Sequence, residues 1–225
     1  MTSETLPGGK EKKICRLCCS DKKEESSIKG ADGRKHFICG KCALINTERQ
    51  HFLPPGEEKK RYQLHKNDPG DLRYRDFLMK AIAPALPFIK KENKGLDYGC
   101  GPGPAISVIL GEKGYKCVNY DPFFFGNFPD GQTFDFIFAT EVLEHFYYPG
   151  KEIKKIRKLL VPEGVLVLMT HRWTTKEHFE KWHYAADDSH VAFYHSRTFD
   201  FICEHFGFNK LFDDGRRVAV LRRVL

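Results

Sequence analysis

Long apolar runs are missing from this 225-residue sequence, and so is a secretory leader. No stretch approaches the roughly 20 consecutive apolar residues that cross a bilayer, so a membrane-spanning protein is not expected. The opening residues, MTSETLPGGKEKK, are polar and charged, whereas a secretory signal contains an apolar segment. We therefore expect a cytoplasmic protein with no membrane partner, and a disordered tail over residues 1–13.

An acidic surplus is also missing. The net charge is +7, of which residues 1–75 carry +6 and residues 76–225 carry +1. A basic leading segment favours a polyanionic partner such as RNA, although a solvated surface explains the charge equally well. Hydrophobic residues make up 41% of the chain, enough for a sizeable core, so disorder is not the default interpretation.

Disulfides are not expected in a reducing compartment, which leaves the clustered cysteines to be explained as metal ligands. Five of the eight cysteines fall in one short segment, and four of them follow the pattern C-x2-C-x20-C-x2-C. Two such knuckles are typical of a closed, structural Zn²⁺ site. We predict zinc at Cys15, Cys18, Cys39 and Cys42. Cys19 is an alternative to Cys18, and reduced cysteines without metal are the other interpretation.

Helical and strand patterns divide the rest of the chain. We expect a zinc-binding module over residues 14–56, a helical cap or linker over 57–92, and an α/β domain over 93–225. The second helix of the linker is predicted to start near Asp71 and to turn Leu72, Phe77 and Leu78 inward. Short apolar strands then alternate with helices, which predicts an open, mostly parallel twisted sheet with helices on both faces. An antiparallel hairpin ends the chain.

A glycine-rich turn joins the first strand of this domain to a helix, with the sequence GLDYGCGPG over residues 95–103. Glycines allow a backbone to approach a nucleotide-like ligand closely. The dinucleotide pattern G-x-G-x-x-G is missing, because its sixth position falls on Pro104 or Ile106. Nicotinamide and flavin enzymes are therefore disfavoured. Asp121 ends the next strand, where a carboxylate can accept hydrogen bonds from a ribose.

The D-x-G-x-G-x-G turn resembles the S-adenosylmethionine motif of class I methyltransferases. Two further segments resemble that family, FDFIFATEVLEHF (134–146) and LLVPEGVLVLMT (159–170), so the resemblance covers about residues 60–225. It implies a Rossmann-like, S-adenosylmethionine-dependent methyltransferase. The cofactor-binding residues that it implies, together with a tyrosine expected to cap the site, are Asp97, Gly99, Cys100, Gly101, Gly103, Asp121, Pro122, Thr140, Glu141, His145 and Tyr62. His65 and Tyr74 are expected beside Tyr62, with packing of the helix face as the alternative.

One segment departs from the family. Where the family usually has another strand, with a polar side chain that contacts adenine, this chain has FFFGNFPDGQT. Adenine is then expected to contact Phe123, Phe124, Phe125 and Phe128, with Asp130 as a candidate polar contact. Ordinary core packing of these aromatic residues is the alternative.

A second segment rich in polar and aromatic residues covers 182–194 and follows the VLVLMT strand, at the end of the sheet where α/β proteins bind ligands. Its D-x-x-H-x-x-F-Y stretch resembles one in a group of bacterial relatives without an assigned function. We predict that His190 accepts a proton or positions the acceptor, that Asp187 orients it and that Tyr194 lies nearby. A loop histidine bonded to backbone carbonyls is the alternative.

Two acceptors fit these observations. A small molecule would be enclosed under residues 182–194, whereas RNA would be held by the basic zinc module. No N-P-P-Y tetrapeptide follows the fourth strand of the family pattern, which favours the small molecule. A zinc-dependent interaction protein without catalytic activity is the third hypothesis. The sequence gives no indication of the oligomeric state.

Overall fold

The computed structural model describes residues 13–64 and 67–225, so His65 and all but the last residue of the predicted tail lie outside the described residues. The strands are β1 (Lys23–Lys29), β2 (Lys35–Cys39), β3 (Ile45–Thr47), β4 (Lys94–Tyr98), β5 (Lys116–Tyr120), β6 (Phe134–Thr140), β7 (Leu160–Met169), β8 (Ala192–Phe193), β9 (Phe208–Asp213) and β10 (Val218–Arg223). The α-helices are α1 (Pro55–Gln63), α2 (Leu72–Ala85), α3 (Ala105–Glu112), α4 (Pro149–Leu159), α5 (Lys176–Glu180) and α6 (Ser196–Phe206).

Six strands form the larger sheet, in the order β5-β4-β6-β7-β10-β9. The pairs among β5, β4, β6 and β7 are parallel, and β10 runs antiparallel to both of its neighbours. The predicted α/β fold with a mostly parallel sheet and a C-terminal antiparallel hairpin is therefore confirmed. Residues 121–133 contain no strand, so β5 forms the edge of the sheet.

Both faces of the larger sheet are buried, which explains the continuous apolar strands of the sequence. Successive side chains of β6 point to opposite faces. Phe136 and Phe138 pack in one cluster with residues of α2 and α3, whereas Ile137 and Ala139 pack in another with residues of α4 and α6.

Helix α2 begins where it was predicted, because the side chain of Asp71 accepts hydrogen bonds from the first turn. The prediction that Leu72 points inward is wrong, since its exposed fraction is 74%. The buried stripe of this helix contains Leu78, Ala81, Ile82 and Ala85. Leu72 precedes Leu78 by six residues, which at 3.6 residues per turn places it about 120° from that stripe.

The cysteine-rich segment forms a second, four-stranded antiparallel sheet in the order β1-β2-β3-β8. Its last strand comes from the polar and aromatic segment that precedes α6. Leu17 and the buried cysteines also belong to the apolar cluster that covers one face of the larger sheet. At Gly150, an added Cβ would lie 2.4 Å from the backbone oxygen of Leu17, so glycine permits this close packing. The division of the chain at residues 14, 57 and 93 stays a prediction.

Among residues 13–64 and 67–225, no helix has the length and apolar character that a bilayer crossing requires.

Candidate active site

A cavity of about 690 Å³ opens at the carboxyl ends of β4, β5 and β6. Helix α1, the turn after β6 and the segment 184–190 close it from other sides. Most of the predicted site residues line this cavity, namely Tyr62, Asp97, Gly99, Cys100, Gly101, Asp121, Pro122, Thr140, Glu141, His145, Asp187 and His190. The structure therefore brings together residues that are as far as 128 positions apart in the sequence, from Tyr62 to His190.

The glycine turn adopts a backbone that only glycine accommodates easily. Gly99 has φ +79°, and a Cβ there would lie 2.3 Å from the side chain of Val142. Gly103 is not among the residues that line the cavity, and its role in cofactor binding stays a prediction. An added Cβ at Gly103 would lie 1.8 Å from the backbone oxygen of Asn67, so this glycine admits the segment that precedes α2.

Asp121 joins the glycine turn to the segment that follows β5. One carboxylate oxygen accepts from the backbone N–H of Gly101 at 3.0 Å. The other accepts from the N–H groups of Phe123 at 2.9 Å and Phe124 at 3.2 Å. Asp121 thereby fixes two loops at the edge of the cavity.

Asp97 is almost completely buried, and its Oδ1 has no hydrogen-bond partner among the described residues. Burial, together with the nearby Asp121, raises the pKa of Asp97 to about 8. An unpaired buried carboxylate is costly. At the wall of a cavity, it favours a ligand that brings a cationic or hydrogen-bond-donating group.

His190 is held by the backbone. Its Nδ1 lies 2.7 Å from the carbonyl oxygen of Tyr184, and because a carbonyl can only accept, Nδ1 carries the proton. The Nε2 atom is then left with a lone pair. Burial and the neighbouring His145 lower the pKa of His190 to about 4, so the imidazole is neutral near pH 7.

The predicted partners of His190 need correction. Asp187 lines the cavity, but its carboxylate accepts hydrogen bonds from Arg61 at 2.9 Å and from the hydroxyl of Ser189 at 2.6 Å. The imidazole of His190 is oriented instead by the carbonyl oxygen of Tyr184. Tyr194 is completely buried and does not line the cavity. Its hydroxyl donates to the carbonyl oxygen of Leu143 at 3.0 Å, which fixes the turn that carries His145.

The N-terminal helix covers the cavity with aromatic and acidic side chains. The ring centroid of Tyr62 lies 5.0 Å from that of His145 and 5.7 Å from that of Phe123. Tyr74 also lines the cavity. Of the four phenylalanines expected to contact adenine, only Phe123 lines it, whereas Phe124, Phe125, Phe128 and the exposed Asp130 do not.

Several cavity residues were missed by the sequence predictions, including Glu58, Glu144, Tyr147 and Tyr184. Glu144 lies inside the E-x-x-E-H segment, so that motif contained a usable signal. The sequence around Glu58 contained no such signal, because a glutamate in the charged run EEKK is normally solvated. Here it is buried and accepts from the hydroxyls of Tyr62 at 2.6 Å and Tyr147 at 3.1 Å.

Comparison with known proteins adds an independent observation. A family model described as a methyltransferase domain matches residues 71–211, which is well over half of the chain. The chain belongs to this methyltransferase family. The prediction of a class I, S-adenosylmethionine-dependent methyltransferase is therefore confirmed. No curated protein matches the sequence of this methyltransferase.

Solved structures share the fold of the methyltransferase at low sequence identity. A candidate methyltransferase from Bacillus halodurans C-125 is 14% identical, with 67% of this chain and 100% of that chain covered and a TM-score of 0.50. The N-methyltransferase NodS from Bradyrhizobium japonicum WM9, solved with S-adenosyl-L-homocysteine, is 15% identical, with 74% and 97% covered and a TM-score of 0.48. At such identities, the likeness concerns the fold.

The cavity of the methyltransferase fits the cofactor of its family. The unpaired Oδ1 of Asp97 can accept from the ammonium group of the methionine moiety, and the glycine turn presents backbone rather than side chains beside it. Asp121 stands at the end of β5, where a ribose is bound in related α/β folds.

The four predicted metal ligands of the methyltransferase lie together. All four Sγ atoms are within 4.8 Å of one another, with 3.6 Å between Cys15 and Cys42 and 3.4 Å between Cys18 and Cys39. In a tetrahedral site with Zn–S bonds of about 2.3 Å, sulfur atoms are about 3.8 Å apart. The donor set and its spacing therefore fit Zn²⁺.

The two cysteine knuckles have the same backbone geometry, which separates Cys18 from Cys19. Cys19 and Ala43 each follow the second cysteine of a knuckle, and each has φ +57°. Their N–H groups donate to the carbonyl oxygens of Cys15 and Cys39, both at 2.9 Å. Cys19 is exposed and occupies the position of Ala43, whereas the Sγ atom of Cys18 belongs to the cluster.

Arginines of the cysteine-rich segment hold the loop that carries His190. Arg34, in the turn between β1 and β2, donates to the carbonyl oxygens of four residues of that loop, Ala185 (2.8 Å), Asp187 (2.5 Å), Asp188 (3.0 Å) and His190 (3.2 Å). Arg16, inside the first knuckle, donates to the carbonyl oxygens of Tyr147 at 2.7 Å and Val191 at 2.5 Å. The geometry of one cavity wall thus depends on the fold of the cysteine-rich segment.

Proposed function

We propose that the methyltransferase transfers a methyl group from S-adenosylmethionine to a small-molecule acceptor that binds in the cavity beside His190. The observation that carries this proposal is the buried imidazole of His190, whose Nδ1–H donates to the carbonyl oxygen of Tyr184. Its Nε2 lone pair is left to receive a polar group of the acceptor. His190 is therefore proposed as an acceptor-positioning group.

The cofactor would lie on the side of the glycine turn, with Asp97 and Asp121 as its polar partners. Bound S-adenosylmethionine supplies an electrophilic methyl group on a sulfonium. Since methyl transfer is an in-line displacement, positioning of the acceptor provides much of the acceleration. Tyr62 and Tyr184 close the cavity around the acceptor and help to exclude water.

We also propose that Cys15, Cys18, Cys39 and Cys42 hold a structural Zn²⁺. A reducing, cytoplasmic location suits such a site, because cysteines bind metal as reduced thiolates. The contacts of Arg16 and Arg34 support a scaffold role for the module, since both side chains donate hydrogen bonds to backbone carbonyl oxygens in or beside the loop that carries His190. The RNA alternative rests on charge alone, and four thiolates on one Zn²⁺ would reduce that charge by about two.

The role of His190 is tested by His190→Asn, which removes the Nε2 lone pair. We expect methyl transfer to fall by about 100-fold, while calorimetric affinity for S-adenosylhomocysteine stays within about threefold. His205→Asn is the matched control, because this histidine lies on α6 and does not line the cavity. Transfer by His190→Asn at the rate of the control would refute the proposed role.

A further inference from the structure

Three potential metal ligands converge on one side of the cavity. Glu144, His145 and His190 each offer one ligand atom, and these atoms lie within 4.8 Å of one another. All three residues line the cavity, so a cation among them would be accessible to an acceptor. Two imidazoles and one carboxylate form a donor set that divalent transition metals bind in proteins.

Both histidines keep one ring nitrogen free to bind a metal. The Nδ1 atom of His145 lies 3.1 Å from the carbonyl oxygen of Ser189, and that of His190 lies 2.7 Å from the carbonyl oxygen of Tyr184. Since carbonyls only accept, both rings carry their proton on Nδ1 and keep a lone pair on Nε2. A metal-binding histidine commonly has its other ring nitrogen fixed by a backbone carbonyl in this way.

The third ligand has an oxygen that the protein leaves unpaired. Glu144 is 1% exposed, and its Oε1 accepts from the hydroxyl of Tyr184 at 2.6 Å. Its Oε2 is buried without a hydrogen-bond partner among the described residues. Burying a carboxylate oxygen without a donor costs free energy, and a cation bound at this place would offset that cost.

We propose that Glu144, His145 and His190 bind a divalent cation that coordinates an oxygen of the methyl acceptor. The inference rests on the proposed function and narrows it to O-methylation of a hydroxyl compound, with His190 acting on the acceptor through the bound cation rather than by a direct contact. Three protein ligands leave coordination positions open for the acceptor. If RNA were the acceptor, the same chemistry would act on a ribose hydroxyl, and transfer of labelled methyl into RNA would reveal it.

The step balances without an added oxidant or reductant. Coordination lowers the pKa of the acceptor hydroxyl, whose proton passes to water. The acceptor oxygen then forms a bond to the methyl carbon. The bond between that carbon and sulfur breaks, and its electron pair remains on sulfur, which leaves S-adenosylhomocysteine as a neutral thioether.

Binding of Mn²⁺ alone tests the site independently of catalysis. Titration of the full-length, zinc-loaded protein, followed by the electron paramagnetic resonance signal of free Mn²⁺, is expected to reveal one ion bound per chain. Glu144→Gln and His145→Gln should each weaken binding by at least about tenfold, a reduction typical of losing a ligand or its support. Glu58→Gln is the matched control, since it changes another buried carboxylate of the cavity outside the cluster.

The outcomes separate the inference from the proposed function. If the wild type binds no Mn²⁺, or if both ligand variants bind it like Glu58→Gln, the metal site is refuted, and methyl transfer can still be observed. If Mn²⁺ binds as expected but no methyl transfer occurs, the proposed function fails instead. Two ligand variants are used because His145 is only half-buried, so His145→Gln is expected to fold even if Glu144→Gln does not.

Discussion

The guanidinium of Arg34 donates a hydrogen bond to the backbone carbonyl oxygen of His190 over 3.2 Å. Arg34 belongs to the hairpin of the cysteine-rich segment, whereas His190 lies in the cavity of the methyltransferase fold. The same side chain donates to three further carbonyl oxygens of the loop, and it is buried. The cysteine-rich segment therefore contributes to the position of the proposed acceptor site.

Arg34→Lys tests this bracing role. A lysine keeps the charge but cannot donate hydrogen bonds to all four carbonyl oxygens at once. We therefore expect a loss of about 2 kcal/mol in unfolding free energy. Methyl transfer should fall further than affinity for S-adenosylhomocysteine, because the loop lies on the acceptor side. Arg197→Lys is the control, since its side chain is half exposed in a contact with Glu24. Equal effects of the two substitutions would contradict a specific role for Arg34.

Removal of zinc should damage the cavity as well as the module. Cys18→Ser is expected to lower the zinc content measured by mass spectrometry, reduce the melting temperature and impair methyl transfer. Cys19→Ser is a closely matched control, because the adjacent Cys19 is exposed and lies outside the thiolate cluster. If Cys19→Ser loses zinc and Cys18→Ser keeps it, the ligand assignment is wrong.

Asp97→Asn tests the assignment of the cofactor side. The substitution keeps the size of the side chain but removes the charge that faces the methionine ammonium, so calorimetric affinity for S-adenosylmethionine should fall by at least about tenfold. Asp130→Asn should leave that affinity unchanged, because Asp130 is exposed and does not line the cavity. An unchanged affinity in Asp97→Asn would remove Asp97 from the cofactor site.

The raised pKa of Asp97 also predicts how stability depends on pH. The folded, cofactor-free chain binds this proton more tightly than the unfolded chain does, since the pKa is about 8 in the fold and 3.8 in the reference state. Asp97 therefore lowers the unfolding free energy as the pH rises between these two values. The unfolding free energy of Asp97→Asn, relative to that of the wild type, should therefore increase by about 1 kcal/mol or more between about pH 5 and pH 8. Denaturant titrations at several pH values, without cofactor, measure this difference. A difference that is flat across this range would contradict the raised pKa of the buried Asp97.

Local spacing explains which features could be predicted from the sequence. The cysteine knuckles, the glycine turn and the E-x-x-E-H segment each encode their geometry within a few residues, and the apolar strands show that both faces of the sheet are buried. The strand-free segment after Asp121 was also visible as a departure from the family pattern.

The errors and omissions arise from long-range contacts. Gly103 looks like its neighbours in the turn, and only the structure reveals that the backbone of Asn67 packs against it. Tyr194 ends a segment that was expected to line the cavity, but it packs in the apolar cluster on one face of the larger sheet, which buries it. Arg34 is one of many basic residues in its region, and nothing local distinguishes it from a solvated one.

The most direct test of the central claim is transfer of labelled methyl from S-adenosylmethionine into a cell extract, separated into small-molecule, RNA and protein fractions. We predict label in the small-molecule fraction with the wild type, unaffected by nuclease and greatly reduced with His190→Asn. Label in RNA that disappears after nuclease treatment would instead indicate that RNA is the acceptor and that the basic module binds it. No label in any fraction, despite bound cofactor, would contradict the proposal that this chain catalyses methyl transfer.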